Sequence, residues 1–307
     1  MVACQWGIGG DGGEHKPMAG RIFVKKYAEL PETPVIAKHS AYEINPGERG
    51  GGGKMTTPLL HGKTALITGA SKGLGKAMAL ALAEAGASIA LVSRDETKLE
   101  EVAQQIRGGG GRAEVFVADV TDEAQVAGVR GAVAAKLGEA LHILINNAGI
   151  NLRKPLVDFT LAEWRSVMDT NVTSVFLLCR AFVPLMKGQG YGRIINMTSM
   201  MSHISLPGRT AYSSSKTALL GFNRALALEL AGDKITVNGI SPGVCDTEIN
   251  APLMQNAELR AQFLGKIPIG RFGQPEEIGK LAVYLCSEDA GFITGTDILI
   301  DGGWTAQ

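Results

Sequence analysis

From Lys63 onward the chain alternates short, unbroken apolar runs with longer stretches of helical period, and that alternation leaves few folds open. The runs lie at 64–68, 88–92, 113–117, 142–145, 193–196, 235–238 and 297–300. Each is continuously apolar rather than alternating, the pattern of a strand covered on both faces. Between them, residues 74–85, 96–107, 122–137, 161–186, 212–231 and 275–286 carry amphipathic helical patterns. Strands interleaved with crossover helices predict an α/β fold: a single Rossmann-type doubly wound domain over residues 61–307, with a seven-stranded parallel sheet and helices on both faces. No linker-like break or internal repeat divides that stretch.

Residues 1–60 are different. They are rich in glycine, proline and charge, show no sustained period, and end in Gly50-Gly51-Gly52-Gly53 just before Met55. They are expected to form a poorly ordered extension, either a translated upstream region with Met55 as the true start or an arm that packs on a partner subunit. Thirty Lys and Arg against thirty Asp and Glu leave no net charge, which argues against a nucleic-acid surface. Cys4, Cys179, Cys245 and Cys286 are far apart and show neither metal-ligand spacing nor a disulfide framework. No metal site and a reducing, cytoplasmic compartment are therefore expected. No apolar stretch reads as long enough to cross a bilayer, and no secretory signal pattern opens the chain, so no membrane partner is expected.

The first strand runs straight into Thr68-Gly69-Ala70-Ser71-Lys72-Gly73-Leu74-Gly75. Glycines at this spacing permit a tight turn and a close backbone approach, and the helix that follows aims its N-terminal amides at an anion. A strand before and a helix after make this a dinucleotide-binding loop rather than a bare glycine cluster. The end of the second strand carries Ser93 and Arg94 and no carboxylate, with Lys72 nearby in the loop. A carboxylate there would hold the ribose hydroxyls of NAD, whereas cations suit the 2′-phosphate of NADP. NADP(H) is the expected cofactor, with NAD(H) possible. Asp95 reads as the N-cap of the next helix.

Tyr212 and Lys216 stand four residues apart in a helical pattern, so both side chains leave one face, one turn apart. A phenol titrates near about 10, and a neighbouring ammonium lowers that value, which makes a proton donor and acceptor for a carbonyl or hydroxyl.

With these residues placed, the chain resembles the short-chain dehydrogenase/reductase family, in the subgroup bearing TGxxxGxG and YxxxK, over roughly residues 60–307. The likeness rests on the glycine loop, Asp119-Val120, Asn146-Asn147-Ala148-Gly149, Asn171, Ser199, Tyr212 with Lys216, Pro242-Gly243 with Thr247, and Asp301-Gly302-Gly303. It implies that Tyr212 is the general acid/base, that Lys216 lowers its pKa and binds the nicotinamide ribose, and that Ser199 hydrogen-bonds the reacting oxygen. It implies that Asn171 holds a water relaying protons towards Lys216. Asp119 would contact adenine, Asn147 the adenosine side of the groove, and Thr247 the carboxamide, with Val120, Ala148, Gly149, Pro242, Gly243 and Val244 along the cofactor. Members of this kind are mostly homotetramers, which is the expected assembly.

The substrate is less constrained. The string 146–155, with Arg153, the turn Leu206-Pro207-Gly208-Arg209-Thr210 and the ending at Trp304 look like gluconate 5-dehydrogenases, and Arg153 and Arg209 would then grip a carboxylate. Likeness to 3-oxoacyl carrier-protein reductases is also considerable. Met197, Met200 and Met201 around Ser199 suit an adaptable apolar pocket and a broader ketone substrate. His203, in the same loop, is a further candidate substrate contact. A non-catalytic cofactor-binding regulator is the alternative from another class, opposed by the intact Asn171, Ser199, Tyr212 and Lys216 set.

Overall fold

The computed structural model describes residues 57–307, which belong to one compact unit, Met55–Gln307. The expectations for residues 1–56, including the place of the true start, lie outside the described residues.

Seven strands form one parallel sheet: β1 (Thr64–Thr68), β2 (Ser88–Ser93), β3 (Ala113–Val117), β4 (Ile143–Asn146), β5 (Gly192–Met197), β6 (Ile235–Pro242) and β7 (Asp297–Ile300). Their order is β3-β2-β1-β4-β5-β6-β7. The chain steps outward from β1 to β3, returns to lay β4 against the other side of β1, and then builds away to β7. The loops after β1 and β4 therefore diverge, and a crevice opens at the carboxyl ends of the strands. Crossovers are supplied by α1 (Gly73–Glu84), α2 (Glu96–Gly108), α3 (Glu123–Leu137), α4 (Leu161–Met168), α5 (Ser174–Met186), α6 (Thr210–Leu230) and α9 (Pro275–Cys286), with the short α7 (Ala251–Gln255) and α8 (Ala257–Leu264) after β6. Asp95 caps α2 as expected, accepting from the Lys98 amide at 3.1 Å, and Asp122 caps α3 in the same way.

The continuous apolar strands are explained by two cores, one on each face. Along β1, Ala65 and Ile67 join Met78, Leu82, Leu99 and Leu285 beneath α1, α2 and α9. Leu66 between them joins Val133, Leu178, Phe182 and Leu219 beneath α3, α5 and α6. Side chains alternate across a strand, so a strand with cores on both sides has no polar face to show.

Three expectations are corrected. The packed structure reaches back past residue 61: Leu60 is wholly buried in the first core and its amide donates to the Ala85 carbonyl at 2.8 Å. A lone leucine after Pro58 leaves no period to read. Residues 161–186 are not one regular helix, because a π turn, Asp169–Thr173, separates α4 from α5. That helical run of 26 residues is also long and apolar enough to cross a membrane, contrary to the sequence expectation. Its apolar face instead packs on the sheet through Val175, Leu178, Phe182 and Met186.

Candidate active site

A cavity of about 1280 Å³ runs along the carboxyl edge of the sheet, walled by the loops after the first six strands. Small-ligand pockets typically span roughly 300–1,000 Å³, so this one has room for a dinucleotide and a second molecule side by side.

At one end lies the glycine loop. Gly69 has φ +64, and a Cβ on Gly75 would stand 2.2 Å from the Gly69 carbonyl oxygen, so the loop folds flat onto the start of α1 only with glycine at both positions. Gly75 lies behind the cavity wall, whereas Gly69, Ser71, Lys72, Gly73 and Leu74 line it. Asn147 braces the loop from below: its amide donates to the carbonyls of Thr68 at 2.9 Å and Gly69 at 3.2 Å. The Thr68 hydroxyl in turn accepts from the amides of Asn147 and Ala148. No side chain caps the start of α1, and its first-turn N–H groups give an anion a seat. The donor set fits a pyrophosphate.

Ser93, Arg94, Asp119 and Val120 line the cavity beyond this loop. Arg94 stands 3.6 Å from the Asp119 carboxylate, and both are solvent-accessible. The Thr121 amide and hydroxyl, with Arg94, hold the Asp119 carboxyl below its ordinary value despite some burial. Lys98 also lines this end. It lies one turn into α2, where reading the strand end alone misses it. Lys72, Arg94 and Lys98 are the groups at this end that fit a ribose phosphate; Asp95, Glu96 and Asp119 line it too, with Lys98 3.6 Å from Asp95.

At the other end, Ser199 closes β5 and caps the 3₁₀ turn Met200–Ser202, its Oγ accepting from the Met201 amide at 3.1 Å. Tyr212 rises from the first turn of α6 and lines the cavity with Ser199. Lys216 follows one turn later, its Nζ 5.9 Å from the Tyr212 ring centre. Burial pushes the Tyr212 phenol above its ordinary value, while the neighbouring Ser199 hydroxyl and the guanidinium groups of Arg209 and Arg153 pull it back. The Lys216 ammonium donates to the Met197 carbonyl at 2.6 Å, and burial lowers it to about 8.

Asn171 sits in the π turn, fully buried and outside the cavity wall. Its Nδ2 donates to the Ile150 carbonyl and the Ser215 hydroxyl, both at 2.9 Å, and its Oδ1 accepts from the Ile150 amide at 2.8 Å. It thus ties the loop after β4 to α6. A Cβ on Gly149 would stand 3.2 Å from Asn171 Oδ1 and 3.5 Å from Lys216 Nζ, which places the two groups around one bare glycine.

Ala148, Gly149, Pro242, Gly243, Val244 and Thr247 line the cavity between the two ends. Arg153, Met200 and Arg209 line its substrate side, joined by Leu253 and Phe263 from α7 and α8. Arg209 is 8% exposed, makes no hydrogen bond or ion pair through its side chain to a described residue, and is lowered to about 10 by burial and by Arg153. His203 departs from expectation. It does not reach this cavity; its Nε2 meets the Asp297 carboxylate at 2.7 Å beside a separate cavity of about 170 Å³. Sequence alone gives no sign of a partner so far along the chain.

A phenol and a serine hydroxyl on the wall of one long groove with an anion seat can pass a proton to or from an oxygen held next to a dinucleotide. Comparison with known proteins gives the family. Residues 69–305 match the family model described as Enoyl-(Acyl carrier protein) reductase. The chain is 38% identical over 244 residues to the 3-oxoacyl-[acyl-carrier-protein] reductase of Pseudomonas aeruginosa, covering 80% of this chain and 98% of that protein. It is 40% identical over 249 residues to the D-threitol dehydrogenase of Mycolicibacterium smegmatis, covering 81% of this chain and 95% of that one. The crystal structure of a gluconate 5-dehydrogenase from Burkholderia cenocepacia in complex with NADP and tartrate matches with a TM-score of 0.78 at 35% identity, over 82% of this chain and 98% of that chain.

Proposed function

This chain belongs to the short-chain dehydrogenase/reductase family, oxidoreductases of alcohol and ketone groups, and from that premise we propose that it interconverts a secondary alcohol and a ketone on a sugar acid, with NADP(H) as the preferred cofactor. The nucleotide supplies or accepts the hydride when bound in the groove. The protein handles the proton. Ser199 Oγ and Tyr212 Oη hold the substrate oxygen, and Tyr212 gives it a proton in reduction or takes one in oxidation. Lys216 holds the nicotinamide ribose, and Asn171 keeps α6 and the loop after β4 in register around it. The anion seat at α1 takes the pyrophosphate, and Lys72, Arg94 and Lys98 take the 2′-phosphate.

One observation carries the choice of a sugar acid. Arg209 is a buried residue whose guanidinium stands on the cavity wall, next to the catalytic pair and with no protein anion facing it among the described residues. A buried, unpaired cation is costly unless a ligand pairs with it, and a carboxylate matches its fork. The gluconate 5-dehydrogenase with bound tartrate supports this reading by likeness. A second reading is supported by Met200, Leu253 and Phe263 on the same wall, which suit a 3-oxoacyl or broad ketone substrate.

The test is NADPH oxidation with 5-ketogluconate, a 3-oxoacyl thioester and a simple aryl ketone, in the native protein and in Arg209→Met. Turnover of 5-ketogluconate that drops about 100-fold in Arg209→Met, as loss of a charge-assisted bidentate contact would give, supports the sugar acid. Preference for the thioester or ketone with Arg209→Met unaffected overturns it. Tyr212→Phe decides between enzyme and cofactor-binding regulator: an enzyme loses turnover by about 10²–10⁴-fold with NADPH binding retained.

A homotetramer is the assembly we propose, supported by the exposed apolar residues Phe176 on α5, Leu228 on α6, and Phe292 and Leu299 at the β7 edge. A reducing cytoplasmic setting is supported by Cys179, Cys245 and Cys286, all buried free thiols.

A further inference from the structure

Behind the catalytic serine lies a group of side chains that the reaction does not use. Asp297, the first residue of β7, has a side chain only 9% exposed. Its Oδ1 accepts from the Thr198 hydroxyl, while its Oδ2 lies 2.6 Å from the Ser241 hydroxyl and accepts from His203 Nε2 at 2.7 Å. The pocket is shaped for this carboxylate: a Cβ on Gly239 would stand 1.9 Å from Asp297 Oδ1, so β6 is bare where the carboxylate enters. Ser241 Oγ also lies 2.8 Å from the Ser199 carbonyl oxygen. One carboxylate at the start of β7 thus joins the end of β5, the body of β6 and the loop that follows Ser199.

We propose that His203 and Asp297 form a clasp that fixes the position of Ser199 and of the Met200–Met201 wall, and so tunes substrate placement without touching substrate or cofactor. The proposal rests on Ser199 acting on the reacting oxygen. Among the described residues, His203 is the side chain of this loop that reaches the sheet edge through Asp297. Its backbone continues the tight turn, with the amides of His203 and Ile204 both donating to the Met200 carbonyl at 3.0 Å. Holding the ring therefore holds Met200 and Met201, which border the cavity. On the other side of the clasp, Thr198 is the immediate neighbour of Ser199. A buried carboxylate deprived of a donor carries an uncompensated desolvation cost, so release of His203 leaves Asp297 to pull on Thr198 and Ser241 alone. The imidazole need only donate from Nε2, and the neutral ring with its proton on that nitrogen does so.

This predicts which replacements matter. Glutamine carries an N–H donor at nearly the same reach as Nε2, so His203→Gln keeps the clasp. His203→Leu keeps bulk and loses the donor. Asp297→Asn places an amide where several donors converge and breaks the centre of the group. Because a displacement of about 1 Å near reacting groups costs up to about 100-fold, His203→Leu is expected to lose about tenfold in kcat/KM for the carbonyl substrate, and Asp297→Asn more. His203→Gln stays within about threefold of the native protein, and KM for NADPH is unchanged in all three.

Amide hydrogen exchange over residues 199–204 provides a readout that needs no substrate: protection falls in His203→Leu and returns in His203→Gln. The clasp is overturned if His203→Leu retains native exchange and native kcat/KM. It is also overturned if His203→Gln loses as much as His203→Leu, or if NADPH affinity and melting temperature fall in step with activity, since those outcomes describe general packing. A clasp seen by exchange in a protein whose Tyr212→Phe variant still turns over would instead place the fault in the catalytic reading of Ser199 and Tyr212.

Discussion

Burial and charge compete at Lys216. Its ammonium is 4% exposed and lowered to about 8 by desolvation, so the folded protein holds that proton less tightly than the unfolded chain does. Below about pH 8 both states are charged and folding bears the full cost of burying the ammonium. Between about 8 and the ordinary lysine value the unfolded chain alone keeps its proton, and stability rises with pH. Lys216→Met removes the buried charge, and is expected to raise stability at pH 7 by about 1–3 kcal/mol, or roughly 2–10 °C in melting temperature, while destroying turnover. A fall in melting temperature would refute this account. In the native protein, ketone reduction is expected to decline as pH rises through about 8, because Lys216 loses its charge there. A kcat/KM profile flat to pH 10 would contradict it. Arg94 is the residue-scale test of cofactor choice: Arg94→Glu is expected to weaken NADPH binding about 10–100-fold and leave NADH unchanged, as loss of a charge-assisted phosphate contact requires. Equal loss on both would show that Arg94 serves its Asp119 contact alone.

At the scale of elements, the turn into α1 is the sharpest constraint. Gly75→Ala would drive a methyl to 2.2 Å from the Gly69 carbonyl. Overpacking of this kind costs about 1–3 kcal/mol, and it is expected to raise the NADPH dissociation constant about 5–100-fold, measurable by nucleotide fluorescence. The loop was legible because a strand, three glycines and a helix sit together in sequence. The seven strands were legible because two-sided burial leaves an unbroken apolar run. The π turn was not. Residues 161–186 keep an apolar period across it, and the only hint is Asn171, a polar group whose partners Ile150 and Ser215 lie 21 and 44 residues away. His203 shows the same limit, since its partner Asp297 lies 94 residues on. Local pattern reports what a residue is, whereas a buried polar side chain is defined by what it meets.

For the whole molecule, α5, α6 and the segment through β7 each leave large apolar side chains exposed: Phe176, Leu228, Phe292 and Leu299. Leu228 is 82% exposed and Phe292 is fully exposed. If the proposed tetramer uses these faces, paired replacement by Leu228→Asp and Phe292→Asp lowers the assembly towards dimer or monomer in sedimentation, with the fold intact by circular dichroism. An unchanged sedimentation coefficient would move the interface elsewhere. The strand order also has a meaning in time. β1 is synthesised first, yet one of its two edges waits for β4, with Ile67 opposite Ile145. A ribosome-bound chain that has released β1, β2 and β3 but not β4 presents a bare apolar strand edge, a hazard for association with other chains. It also lacks Asn147, the brace beneath the glycine loop. Nucleotide should therefore fail to protect nascent chains ending before residue 146 from proteolysis, and the interval between translation of Val117 and Asn146 is when the exposed edge is open to other chains.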